Sequence, residues 1–214
     1  MPTHTVINKN CKFVLENLPD QSLDLVFYDP PYNKKKDYGD FKDDLPEDSY
    51  TGFHKDILKE VQRISKRGIV IFLTQTLLFK FWNLIPEARI IVVHKRAAGK
   101  KWGGLMLQWH PLLTTAKALG NVTDFWDGIR LPGEGYYFWE KRWGNPGQTS
   151  MALTKMVIES FSREGETILD PFAGIGTTAV ACQELNRNSF SIEINSQYCE
   201  IINKRLNLIG ISPK

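Results

Sequence analysis

Sulfur is scarce in this sequence. Its three cysteines, Cys11, Cys182 and Cys199, are odd in number, far apart, and show neither C-x-x-C spacing nor a histidine partner. That argues against a disulfide scaffold and against a zinc site, and it fits a reducing compartment. Long hydrophobic runs are also missing. The longest apolar stretch, "GIVIFLTQTLLFKFW", is broken by Thr, Gln and Lys and is too short to span a bilayer. The segment "MPTHTVINKNC" lacks the apolar core of a signal peptide. A cytoplasmic protein with no membrane and no metal is expected. Nor is there a strong excess of one charge. A net charge of +3 and a pI near 8.7 permit an anionic partner without requiring one.

What is present suffices for a folded domain. The chain has 214 residues, 42% hydrophobic and 24% charged, so a single soluble domain over 1–214 with a real core is expected. Strand-like segments ("HTVIN", "LDLVFY", "GIVIFL", "ARIIVVHK", "TILD", "SFSIEI") alternate with helical spacing. The helical stretches are "SYTGFHKDILKEVQRIS", residues 77–84, about 150–161, "TTAVACQEL" and 197–208. That alternation predicts an α/β layered fold. The stretch from about 96 to 143 is rich in Gly and Trp and has no clean period. It reads as loops on the scaffold, although "HPLLTTAK" within it resembles a core strand.

Two places break the regular pattern. The apolar run Leu25-Val26-Phe27 leads straight into Asp29-Pro30-Pro31-Tyr32, where one proline would have ended a strand. Taken alone, the tetrapeptide is compatible with a proline-terminated strand. Far downstream, "ETILDPFAGIGTTAVACQELNRNSFSIEIN" places a glycine turn between a strand ending at Asp170 and a helix opening at Thr177. Glycines there let the backbone approach a ligand closely, and the free N–H groups of the helix start suit an anionic group. About twenty residues on, Glu193 stands at a strand end, placed to bind ribose hydroxyls. A nicotinamide dinucleotide remains compatible with "GIGTTA" read as a variant G-x-G-x-x-A.

Taken together, D-P-P-Y at Asp29 to Tyr32 and D-P-F-A-G-I-G-T-T at Asp170 to Thr178 closely resemble the paired signatures of the S-adenosylmethionine-dependent DNA amino-methyltransferases. Catalytic motif before cofactor motif is the order of that family's β-class. The resemblance implies a circularly permuted Rossmann-like methyltransferase fold: α/β, with a mixed, mostly parallel sheet flanked by helices. It also implies base flipping. The catalytic residues become Asp29, Pro30, Pro31 and Tyr32, with Asp29 and the Pro30 carbonyl as acceptors for the target amine and Tyr32 as a face for the flipped base. Further matches extend the cofactor site. "VINKNC" resembles the family's N-terminal strand, with Asn10 and Cys11 near the adenine. "GNPGQTS" resembles its H-P-x-Q-K-P segment, with Gln148, Thr149 and Ser150 near the methionine carboxylate and Thr149 or Ser150 capping the next helix. The expected cofactor residues are then Asn10, Cys11, Asp29, Gln148, Thr149, Ser150, Asp170, Phe172, Ala173, Gly174, Gly176, Thr177, Thr178, Glu193 and Ile194.

Double-stranded DNA is the implied partner. Lys34, Lys35, Lys36, Lys95, Arg96, Lys100 and Lys101 are candidate phosphate contacts, with solvated charged loops as the plain alternative. The short stretch at about 96–143 leaves room only for minimal target recognition, or for a homodimer that extends the footprint. Asp at the first motif position favours N6-adenine over N4-cytosine. A nicotinamide-dependent oxidoreductase or a DNA-binding module without catalysis would leave Asp29 to Tyr32 without a role.

Overall fold

The side chains of Leu25, Val26, Phe27 and Tyr28 are all buried. A strand covered on both faces reads this way, as a continuous apolar run rather than an alternating one. The structure is a computed structural model and describes residues 1–35, 41, 43–94, 108–127 and 148–207, with 101–102, 105–106 and 208–210 by backbone alone.

The strands are β1 (His4–Asn8), β2 (Leu25–Tyr28), β3 (Ile69–Phe72), β4 (Arg89–His94), β5 (Lys101–Trp102), β6 (Leu105–Met106), β7 (Trp109–Thr114), β8 (Phe125–Trp126), β9 (Thr167–Asp170) and β10 (Asn188–Glu193). The helices are α1 (Cys11–Glu16), α2 (Glu47–Ile64), α3 (Leu78–Leu84), α4 (Met151–Phe161), α5 (Thr177–Glu184) and α6 (Ser196–Gly210). Eight strands form one sheet in the order β1-β10-β9-β2-β3-β7-β4-β8, and β5 pairs with β6 in a separate hairpin. All neighbours in the large sheet run parallel except β7, which lies antiparallel between β3 and β4. The mixed, mostly parallel sheet flanked by helices expected from the sequence is therefore present. The run read as loops is shorter than expected, because β7 and β8 join the sheet. Leu112 and Leu113 of β7 are fully buried.

Side-chain alternation along β2 separates two cores. Val26 and Tyr28 face the layer of α1, α2 and α3, among Leu15, Tyr50, Ile57, Val61 and Phe81. Leu25 and Phe27 face α4 and α5, among Leu153, Val157, Phe161 and Cys182. Helix α2 buries Tyr50, His54, Ile57, Leu58, Val61 and Ile64, a single helical stripe. Helix α5 differs: Thr177 to Cys182 are all buried, because α4, α6 and the sheet enclose it. Helix α1 has only six residues, capped by the Asn10 side chain, which accepts the Lys12 N–H at 3.0 Å.

One register places the two motifs side by side. β2 pairs with β9 through Leu25↔Ile168 and Val26↔Leu169, and β9 pairs with β10 through Asp170↔Ser191. Parallel strands end at the same edge of a sheet. Asp29, Asp170 and Glu193 thus stand at three adjacent carboxyl ends, where open α/β sheets bind ligands.

Candidate active site

Beyond those strand ends lies a cleft of about 980 Å³, part of it open to solvent. Asp29, Pro30, Pro31 and Tyr32 form one wall. Phe172, Ala173, Gly174, Thr177 and Thr178 of the glycine turn form another, with Asp170, Glu193 and Ile194 beside them. Asn10, Cys11, Gln148 and Thr149 complete the side nearer the N-terminus and the start of α4. Nearly all the residues singled out in the sequence thus meet in one place. Two do not line the cleft. Ser150 is buried and caps α4, accepting the Leu153 N–H, while Gly176 turns away from the cleft towards α6.

The glycine turn is built by backbone geometry. Gly174 (φ +52) and Gly176 (φ +78) both adopt the left-handed region that disfavours other residues. A Cβ on Gly176 would stand 2.7 Å from Ile202 Cγ1 on α6. The buried Arg205 guanidinium, also on α6, donates to the Ile175 carbonyl at 2.6 Å and holds the turn from behind. Glu193 fixes its front edge: one carboxylate oxygen accepts the Gly174 N–H at 2.7 Å and the other the Asn195 N–H at 2.8 Å. Each oxygen keeps a second acceptor position for a ligand hydroxyl.

The carboxylates feel each other and the apolar wall. Burial, above all, pushes Asp170 up to about 7. Its bonds from the Thr178 hydroxyl (2.6 Å) and the Phe172 N–H (3.1 Å) pull the other way, and the charges of Asp29 and Glu193 add to the rise. Glu193 is also raised, again mainly by burial. A cleft that collects three acids in a poorly solvated space favours a cationic ligand. S-adenosylmethionine, with a sulfonium and an ammonium, has that character, and Glu193 has acceptors to spare for its ribose. Cysteine chemistry is disfavoured. All three thiols are buried, with Cys11 pushed up to about 12 by burial.

The catalytic strand end is held from several sides, and most of these contacts were invisible in the sequence. Tyr32 donates its hydroxyl to Asp29 Oδ1 at 2.5 Å, and the Thr149 hydroxyl donates to Asp29 Oδ2. Tyr50 on α2 donates to the Pro31 carbonyl at 2.8 Å. Asn33, in the left-handed region at φ +54, exchanges two bonds with the Leu45 backbone. The buried Asp43 carboxylate accepts the N–H groups of Asn33 (2.7 Å) and Lys34 (2.9 Å), and its carbonyl accepts that of Lys35 (2.7 Å). Below this loop Tyr28 shares a hydrogen bond with His54 Nδ1 at 2.7 Å. Burial pushes that histidine down to about 3, so its ring is neutral. Asp43 had a faint signal as one acid in a run of four near the lysines. Tyr50 had only its place on an apolar helical face.

Of the candidate DNA contacts, Lys34 and Lys35 are exposed beside the cleft. The Lys34 ammonium lies 5.7 Å from the centre of the Tyr32 ring, and Lys35 pairs loosely with Asp44 at 3.5 Å. Lys36, Lys95, Arg96 and Lys100 lie outside the described residues, as does the Lys101 side chain. Among the aromatic residues of 96–143, Trp126 is buried, and its indole N–H donates to the Thr123 carbonyl.

Residues 23–108 and 87–204 match the DNA methylase family, which covers N6 and N4 enzymes. The chain belongs to that family of S-adenosylmethionine-dependent DNA amino-methyltransferases. The match spans both walls of the cleft. The type II methyltransferase M.HpaI of Haemophilus parainfluenzae is 30% identical over 94% of this chain and 74% of its own length. The DNA adenine methyltransferase YhdJ of Escherichia coli (strain K12) is 26% identical over 95% of this chain and 83% of its own. Among solved structures, a Thermus thermophilus DNA modification methylase in complex with S-adenosyl-L-methionine superposes with a TM-score of 0.71. It shares 18% identity and covers 99% of this chain and 96% of its own. In this DNA methylase the nicotinamide alternative leaves the acid-Pro-Pro-Tyr wall unexplained.

Proposed function

We propose that this DNA methyltransferase transfers a methyl group from S-adenosylmethionine to the exocyclic N6 amine of adenine, flipped out of double-stranded DNA. One observation carries the reading: Asp29, Pro30 and Tyr32 face the glycine turn and Glu193 across a single cleft. The choice of adenine is supported by Asp at the first motif position and by likeness to an enzyme named as a DNA adenine methyltransferase. N4 of cytosine is the second reading, since the matching family includes such enzymes.

When bound, S-adenosylmethionine supplies an electrophilic methyl group on a sulfonium. Asp170, Glu193 and the Phe172–Gly174 turn are placed to hold it. The exocyclic amine is a weak nucleophile, because its lone pair is delocalised into the ring. Asp29 and the Pro30 carbonyl accept its two N–H groups, which aims the lone pair and stabilises the positive charge growing on nitrogen. The two fixed proline φ values keep these acceptors aimed with little entropy lost on binding. Tyr32 offers a ring face for the extruded base, a contact worth about 1–3 kcal/mol in comparable sites. The nitrogen gains the methyl group and gives up one proton on the side of Asp29. Lys34 and Lys35 neutralise flanking phosphates, a short recognition stretch at about 96–143 reads the sequence, and a homodimer extends the footprint.

The test is transfer of labelled methyl from S-adenosylmethionine to unmodified DNA by wild type and Asp29→Ala. Transfer by wild type and none by the variant, with cofactor affinity kept within about twofold, is expected. Near-normal turnover by the variant overturns the assignment.

A further inference from the structure

The segment Gln148–Ser150 was expected to touch the cofactor, and Gln148 and Thr149 do line the cleft. The Thr149 side chain does something else as well. Its hydroxyl donates to Oδ2 of Asp29, a residue 120 positions away on the opposite wall. We propose that Thr149 is the positioning residue of the catalytic carboxylate, coupling the aim of Asp29 to the segment that seats the cofactor. The proposal rests on the methyltransferase reading above.

Three observations carry it. First, the backbone at Thr149 is anchored on its C-terminal side. Ser150 is buried and caps α4, and its carbonyl accepts both the Thr154 N–H and the Thr154 hydroxyl at 2.9 Å. A hydroxyl extending from so fixed a base has little freedom to wander. Second, the carboxylate is held on both oxygens: Tyr32 takes Oδ1 at 2.5 Å while Thr149 takes Oδ2. Two donors on opposite oxygens fix the rotation of the carboxylate about its Cβ–Cγ bond. Each oxygen has a second acceptor position, so the plane is set while a lone pair remains for the target amine. Third, the two donors differ in what binding asks of them. Tyr32 is the ring on which a flipped base stacks, so its hydroxyl is disturbed by substrate. Thr149 stands on the cofactor side, and its bond can persist through the reaction.

A hydroxyl that aims the carboxylate acts in the transition state, when charge grows on the amine, more than in either binding step. Its removal lowers kcat and leaves the binding constants nearly alone. Thr149→Val is close to isosteric and removes only the donor. Thr149→Ser keeps the donor and drops a methyl. The experiment measures kcat, KM for DNA and S-adenosylmethionine affinity for wild type and both variants, with thermal melting as a check on folding. For Thr149→Val we expect kcat to fall about ten- to hundredfold, the range for losing one bond to a charged group. KM and cofactor affinity should stay within about threefold, and Thr149→Ser should recover most of kcat.

Several outcomes overturn the role. One is a Thr149→Val enzyme with undiminished kcat. Another is a loss expressed wholly in cofactor affinity, which makes Thr149 an ordinary binding residue. A third is an equal loss in Thr149→Ser, which makes the side chain's packing the cause. An inactive wild type overturns the methyltransferase reading itself, and the role of Thr149 with it. An active wild type beside an unaffected Thr149→Val overturns the role alone.

Discussion

The Tyr50 hydroxyl donates to the Pro31 carbonyl at 2.8 Å, so the helix after the catalytic loop holds that loop by its middle. Tyr50 is itself pinned, its ring 4.4 Å edge-on from His54 and 4.9 Å beneath the Lys80 ammonium. Tyr50→Phe removes one hydrogen bond and keeps the ring. We expect a stability loss of about 1 kcal/mol and a several-fold fall in kcat with cofactor affinity unchanged. Denaturant titration and steady-state kinetics on the same preparation check both, and an unaltered kcat separates the loop's anchoring from catalysis.

Asp43 fastens the far side of the same loop. Its carboxylate takes two successive backbone N–H groups at Asn33 and Lys34, and Asp43→Ala leaves both without that partner. Bonds to a buried charge are worth about 1.5–3 kcal/mol each, partly recovered by water after the change. We expect a net loss of about 2 kcal/mol, together with a higher KM for DNA. Unchanged DNA binding shows that the loop keeps its shape without this clamp.

Asp170 sets a pH dependence whose sign follows from its raised value. In the unfolded chain it titrates near 3.8, but in the folded protein near 7. The free protein therefore gains stability from this group below about pH 4 and loses it as pH rises through 7. Cofactor binding runs the opposite way, because a cation prefers the ionised carboxylate. Affinity for S-adenosylmethionine should rise by up to about tenfold between pH 6 and pH 8. Asp170→Asn should bind more weakly with a flattened profile. Isothermal titration at several pH values decides this, and an equally steep profile in the variant assigns the dependence elsewhere.

Two glycines give opposite expectations. Gly176 has φ +78, and a Cβ there meets Ile202 at 2.7 Å. Gly176→Ala should cost about 1–3 kcal/mol and weaken cofactor binding by distorting the turn. Gly52 lies inside α2 with nothing within 4 Å of the added carbon, so Gly52→Ala should stabilise by about 0.5–1 kcal/mol. Melting temperatures moving in the same direction would contradict the account of the turn.

Much of the architecture was legible because the central strands are short, apolar and bounded by clear breakers. The runs at 25–28, 69–72 and 167–170 needed no tertiary knowledge to be found. Helix α1 was not, since six residues give too little period, and its signal is the Asn10 cap. β8 was hidden for the same reason, with two residues held by pairing to β4. β7 lies within the stretch read as loops, although its apolar run was visible. The residues of the two motifs were readable from local chemistry. What links them was not: Thr149 on Asp29, Tyr50 on Pro31 and Asp43 on the loop are contacts between segments far apart in sequence, created only when the sheet aligns the strand ends.

The central claim is that this cleft methylates an exocyclic base amine, N6 of adenine. Its most direct test is nucleoside mass spectrometry on unmodified double-stranded DNA incubated with the protein and S-adenosylmethionine carrying a labelled methyl group. The account predicts labelled N6-methyladenosine nucleoside, absent when Asp29→Ala replaces wild type. Label in N4-methylcytosine instead would overturn the base assignment, and no labelled nucleoside at all would contradict the reaction.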